Sequence, residues 1–109
     1  MPHGKYHDLI EILHKCMAAC NHCYEECLKD KYTEMLAECI RLDRECADMC
    51  GYLEQALVRG TPFVTDLAGV CATICEACGN ECQKQDYEHC RKCADVCFKC
   101  AKECKDLVA

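Results

Sequence analysis

The cysteines of this chain are spaced for helices. They fall in four clusters: Cys16, Cys20, Cys23 and Cys27; Cys39, Cys46 and Cys50; Cys71, Cys75, Cys78 and Cys82; and Cys90, Cys93, Cys97, Cys100 and Cys104. Within a cluster every step is three, four or seven residues. Residues three and four apart share one face of an α-helix. At about 100° per residue the first cluster lies within an arc of roughly 60° and the last within roughly 80°. Each cluster therefore paves one helix face with thiols. The first and third clusters repeat the same order of steps, as a duplicated helical hairpin would.

The punctuation between clusters agrees with that reading. Only two prolines occur, Pro2 and Pro62. Gly60-Thr61-Pro62 is the clearest boundary, with Gly60 suited to a left-handed C′ position, Thr61 to an N-cap and Pro62 to a first turn. Asp30 or Thr33 is placed to cap a second helix, and Asp86 a fourth. The spacing predicts helices over about 6–28, 33–58, 62–84 and 86–106. Connections this short make neighbours antiparallel, so the expected fold is all-α, an up-down-up-down four-helix bundle with a cysteine-lined core, occupying 1–109 as one domain.

Composition narrows the function. Sixteen cysteines in 109 residues, no Trp and two Phe mean that thiols supply much of the core. A Leu or Ile at each site would bury more apolar area, so four stripes of a small, oxidisable residue call for a reason beyond packing. A net charge of −6 argues against a nucleic-acid surface. No apolar run approaches the ~18 residues of a membrane span, and Met1–Asp8 has no apolar stretch of a secretory signal. A native chain beginning there is expected in the cytosol, where thiols stay reduced.

Four chemistries compete for such thiols. A disulfide scaffold fits the count alone: cysteines at i and i+4 of one helix point the same way and join badly. Iron–sulfur ligation wants a local wrap and a Cys-Pro that this chain lacks. Zinc knuckles place Cys-x-x-Cys on a turn, whereas Cys20/Cys23 and Cys75/Cys78 sit inside helical runs. Four Cys₄ zinc ions would also leave roughly eight negative charges in the core. Cu(I) is soft and prefers thiolate, and one Cu(I) per thiolate makes the core neutral. Each Cys-x-x-x-Cys is expected to bring its sulfurs to about 4.5 Å, twice a metal–sulfur bond. Seven such pairs occur: Cys16/Cys20, Cys23/Cys27, Cys46/Cys50, Cys71/Cys75, Cys78/Cys82, Cys93/Cys97 and Cys100/Cys104.

From Tyr6 to Lys105 the chain resembles the bacterial four-helix-bundle copper storage proteins, in particular their cytosolic branch. The resemblance rests on repeated Cys-x-x-x-Cys and Cys-x-x-Cys steps on four helices, as in Cys16-x-x-x-Cys20-x-x-Cys23-x-x-x-Cys27. It implies many Cu(I) ions held inside each bundle by the sixteen cysteines, and assembly as a homotetramer. The second stripe departs from the full pattern at Leu42 and Asp43, between Cys39 and Cys46.

The stripes are displaced toward one end. At the other, the same faces carry Leu9, Leu13, Leu53, Leu57, Val64 and Leu67, an apolar plug. Metal is therefore expected to pass through the thiol end, near residues 30 and 85. Met35, one turn before Cys39, and His89, beside Cys90, are the candidate ligands at that mouth. Asp43 faces the thiols, as an oxygen ligand or, the favoured reading, as a polar residue at the edge. His14 and His22 fall off the stripe and belong to the surface or a subunit interface. Ile10, Met17 and Tyr24 form a second row that needs a cover, an oligomer contact being the favoured one. The leading reading is a non-enzymatic Cu(I) store exchanging metal with small thiols or a copper-delivery protein. The alternatives are a zinc or mixed-metal structural module, and a thiol redox enzyme, which needs a partly exposed low-pKa cysteine.

Overall fold

The computed structural model describes residues 2–108; Met1, Ala109 and the side chains of Pro2 and His3 lie outside the described residues. After a helical turn at Pro2–Lys5, four long helices follow: α1 His7–Lys29, α2 Ala37–Val58, α3 Val64–Cys82 and α4 Glu88–Val108. α1 packs on α2 and α4, and α3 on α2 and α4, which closes an up-down-up-down bundle. The molecule measures 46 × 22 × 18 Å. Its narrow section follows from the core: thiols are short, so the helices approach closely.

The α2–α3 turn forms as its sequence requires. Gly60 has φ 76°, the left-handed value that costs glycine nothing. Its N–H donates to the Leu57 carbonyl at 3.0 Å and the Thr61 N–H to Ala56 at 3.0 Å, the paired bonds of a Schellman end. Thr61 is not the N-cap of α3. Its Oγ1 accepts the Phe63 N–H at 3.1 Å, and Phe63 takes the cap position itself. Asp86 likewise stands one residue too early: α4 opens behind Tyr87, and Asp86 pairs with Arg91 at 2.7 Å.

The larger difference lies before α2. Residues Thr33–Leu36 form a 3₁₀ turn rather than the first turn of an α-helix. Asp30 Oδ1 accepts the Tyr32 N–H at 2.7 Å and holds the chain in that tighter path. A 3₁₀ turn advances each residue by about 120° instead of 100°, so the side chains ahead of Cys39 are out of phase with the α-helical stripe.

Below the thiols, Leu9, Leu13, Leu53 and Leu57 are buried, with Val64 and Leu67 packed partly against them. Ile10 joins this cluster, and Met17 packs against Gly51, where an added Cβ would lie 3.2 Å from its sulfur. Much of the second row of α1 is thus covered within the chain. On the opposite side Phe98 lies over Gly79, where a Cβ would meet the ring at 2.8 Å.

The plug carries the stability of the metal-free bundle, because a Leu side chain buries more apolar surface than a thiol. Leu13→Ala is expected to lower the unfolding free energy of the apo protein by about 2–5 kcal/mol, and Cys16→Ala by about 1 kcal/mol. Urea unfolding followed by circular dichroism measures both, and equal losses would contradict the assignment.

Candidate metal centre

All sixteen cysteine side chains are fully buried, and none is in a disulfide. They stack into overlapping groups along the bundle axis. Nearest the plug, Cys50, Cys71, Cys75 and Cys100 bring their sulfurs within 4.8 Å of one another, with Cys104 buried one turn below Cys100. Above come Cys16, Cys46, Cys50 and Cys75, then Cys16, Cys20, Cys46 and Cys97, then Cys20, Cys78, Cys93 and Cys97. Cys23, Cys27, Cys39 and Cys90 make a further group at the far end, where Cys82 lies against Cys39.

Successive groups share members, so one sulfur faces two sets of neighbours. Contacts across helices include Cys46–Cys75 at 3.6 Å, Cys20–Cys97 at 3.7 Å, Cys23–Cys90 at 3.7 Å and Cys16–Cys46 at 3.8 Å. Along single helices, Cys23–Cys27, Cys71–Cys75, Cys78–Cys82 and Cys93–Cys97 are each 3.9 Å apart. These spans are shorter than the 4.5 Å expected for a lone two-coordinate pair. With a metal–sulfur length of about 2.3 Å, three sulfurs in a plane around one ion lie ~4.0 Å apart and two in line ~4.6 Å. Within each group the sulfurs lie within 4.8 Å of one another, a range that covers both three-coordinate and in-line spacing.

Asp43 is the one charged residue type among the buried side chains of the described residues, with no exposed surface. The edge placement is overturned. Lying four residues after Cys39 and three before Cys46, it occupies the ligand position that the second stripe lacks. Oδ1 accepts from the thiols of Cys78 at 3.3 Å, Cys82 at 3.4 Å and Cys93 at 3.4 Å, and Oδ2 faces Cys39 at 3.8 Å. Burial above all pushes its carboxyl up to about 10. Burial likewise pushes the Cys27 thiol up to about 11. In the metal-free core both groups keep their protons at neutral pH.

The thiol end is not an open, thiol-lined mouth. Leu36, on the 3₁₀ turn, is buried over the outermost group, and Met35 points away with 79% of its surface exposed. Leu36, three residues before Cys39, keeps to the inward side, while the 3₁₀ turn carries Met35 further off the stripe. Tyr32, Met35, Leu36, Gln85 and Tyr87 line a surface cavity of about 330 Å³ there. The Tyr87 hydroxyl donates to Asp30 Oδ1 at 3.4 Å and ties the two loops together. His89 does meet the column: its Nδ1 is 3.5 Å from Cys90 Sγ, and its ring stacks on Tyr87 at 5.5 Å between centroids. His14 and His22 are exposed, His14 pairing with Glu54 at 2.7 Å. Leu36 and Tyr87 were not among the sequence candidates. Leu36, three residues before Cys39, was the available signal.

The family model for copper storage proteins (Csp) matches residues 2–109. This chain belongs to that family. It is 48% identical over 100 residues, 92% of this chain and 93% of the other, to the uncharacterized cysteine-rich protein YhjQ of Bacillus subtilis. The structure of Cu(I)-bound copper storage protein BsCsp3, from the same species, superposes with a TM-score of 0.92 at 46% identity, covering 95% of this chain and 98% of that one. A cytosolic copper storage protein from Streptomyces lividans, seen with five coppers, gives a TM-score of 0.89 at 37% identity over 92% and 88% of the two chains. The family fold is thus the bundle described above, with the thiol column as its core.

Asp43 sets a pH dependence for the metal-free protein. Its folded value is raised, so from about pH 4 upward the native state holds a proton that the unfolded chain has lost. That stabilisation is complete at low pH and falls by up to about 1.4 kcal/mol per pH unit as pH rises toward 10. Apo Asp43→Asn should lose most of this slope between pH 5 and pH 8 in urea unfolding. Parallel slopes in parent and variant would show that Asp43 is ionised in the folded core.

Proposed function

We propose that this chain stores Cu(I), with the sixteen buried thiols as ligands and the metal as cargo. The observation that carries the reading is the overlap of four-thiol groups whose sulfurs lie within 4.8 Å of one another. Shared sulfurs bridge ions, and bridging lets a soft monovalent cation approach one per thiolate. Each thiolate then loses its charge to one Cu(I), whereas divalent zinc in tetrahedral sites would leave a charged core. Asp43, set among Cys39, Cys78, Cys82 and Cys93, supplies an oxygen beside the outer sites once it gives up its proton. His89 serves as an accessory ligand next to Cys90, and Met35 as an outer contact away from the column.

The chain works as one bundle over its whole length and as a store rather than a catalyst, since its chemistry-bearing groups are buried ligands. The cytosolic copper storage protein of Streptomyces lividans, which the chain resembles, supports a place in the cytosol. Outward apolar side chains such as Leu28, Tyr52 and Val70 support a homo-oligomer, a tetramer by family resemblance. Small thiols or a copper-delivery protein would bring and remove the metal.

Anaerobic titration against a Cu(I) chelator should saturate near or above the cysteine count, with little change in far-ultraviolet circular dichroism because the bundle is already formed. Saturation near four, with zinc displacing Cu(I), would overturn the reading in favour of a structural zinc module.

The direction of exchange is a second test. The plug seals one end, and only Leu36 and two short loops cover the other. His89→Ala should slow Cu(I) uptake and removal while sparing most of the capacity, and Met35→Leu should change the rate less, since its thioether faces solvent. Cys100→Ala with Cys104→Ala should cut capacity with little effect on uptake. A chelator-competition time course reads all three. Faster exchange after Leu13→Ala would place the door at the plug.

A further inference from the structure

Among the thiol contacts, that between Cys39 and Cys82 stands apart. The sulfurs are 3.3 Å apart, against 3.6–4.0 Å for the other thiol pairs in contact. The two residues sit on different helices, so the objection to i,i+4 disulfides does not apply. Both are also at helix ends. Cys39 is the third residue of α2, behind the 3₁₀ turn, and Cys82 is the last residue of α3. A disulfide is about 2.05 Å long, so the sulfurs must close by roughly 1.3 Å. Residues in the middle of a helix are held by turns on both sides. Cys39 is held by the 3₁₀ turn before it and by α2 after it, whereas Cys82, at the end of α3, has a turn on one side only and can make that movement at lower cost.

We propose that Cys39 and Cys82 are a redox-active pair, oxidised to a disulfide by a small hydroperoxide in the metal-free protein. One thiol gives its sulfur to the peroxide. The O–O bond breaks, one oxygen leaves as water, and a sulfenic acid remains. The second thiol attacks that sulfur, the S–O bond breaks, and the hydroxyl leaves as a second water with the remaining thiol proton. Two thiols are oxidised and one hydrogen peroxide is reduced to two waters. The pair lies at the thiol end, where Leu36 and the Asp30–Tyr87 contact are the cover that must open to admit a molecule as small as peroxide.

The bond would join the free ends of the α2–α3 hairpin, opposite its Gly60 turn, and clamp one side of the bundle mouth. It would also remove Cys39 from its group with Cys23, Cys27 and Cys90. Oxidation and metal loading at that end would then exclude each other. A thiol donor reverses the bond by exchange. The pair thus gives a reversible loss of capacity under peroxide stress, confined to the outer sites.

The test uses the full-length apo protein, kept anaerobic, with up to one equivalent of hydrogen peroxide, followed by alkylation and non-reducing peptide mapping. The expected first product is a single crosslink between the segment carrying Cys39 and that carrying Cys82, removed by dithiothreitol. Cys82→Ser and Cys39→Ala, each shown by circular dichroism to keep the parent's helicity, should lose the first two thiols about tenfold more slowly. A first crosslink at another pair, a spread over many pairs, sulfinic acid at Cys39 without a crosslink, or unchanged rates in both variants would overturn the proposal. The peroxide arms contain no copper, so their failure leaves the storage reading standing, and failed copper loading leaves this pair standing.

Discussion

Everything in this bundle depends on keeping a column of sulfur out of water. A buried thiol is a modest apolar group, but a buried thiolate needs an opposite charge nearby. The structure meets the first condition with four helices whose inward stripes are almost all cysteine. It meets the second only when cations arrive. The folded apo protein is therefore a protonated precursor of its loaded state, and each metal ion bound displaces protons from the core. The raised carboxyl of Asp43 and the raised thiol of Cys27 belong to the same condition: burial disfavours a charge at either site while no cation is present.

Division of labour along the axis follows from the same constraint. Thiols are too small to hold four helices together with the strength of a leucine core, so the leucines are gathered at one end. That end anchors the apo bundle and leaves the rest free to be lined by ligands. The two ends differ accordingly: leucines fill one, and Leu36 with the loops tied by Asp30 and Tyr87 covers the other. Preorganisation at the plug also means that metal does not have to fold the chain, which separates this protein from small metal-dependent domains.

The helical stripes, the antiparallel order and the Gly60 turn were legible in the sequence, because each rests on a local rule: a helical period, a short connection, a residue that tolerates positive φ. The thiol end was misread for a reason as local. Extending the α-helical phase back from Cys39 puts both Leu36 and Met35 near the stripe, but the Asp30 turn and the 3₁₀ segment carry Met35 off it and leave Leu36 as the buried one. Asp43 was misjudged because a carboxylate at a core position is costly in isolation. Its cost is met by thiols of α3 and α4, which no inspection of α2 alone reveals. The grouping of the sulfurs, too, is a property of the packed bundle: single-helix geometry gives pairs, and only the neighbouring stripes turn them into overlapping groups of four.

Asp43 is the exception in a core of thiols. Exchange of a thiol proton for one Cu(I) leaves the local charge unchanged, so the cysteines need no partner for that step. A carboxyl that is protonated while the column is empty, and that touches four cysteines of three helices, can do one thing more: lose its proton and offer an oxygen to a cation held by Cys39, Cys78, Cys82 or Cys93. A hydrophobic residue in that position would pack as well but could offer no oxygen, and a cysteine would offer a sulfur in its place.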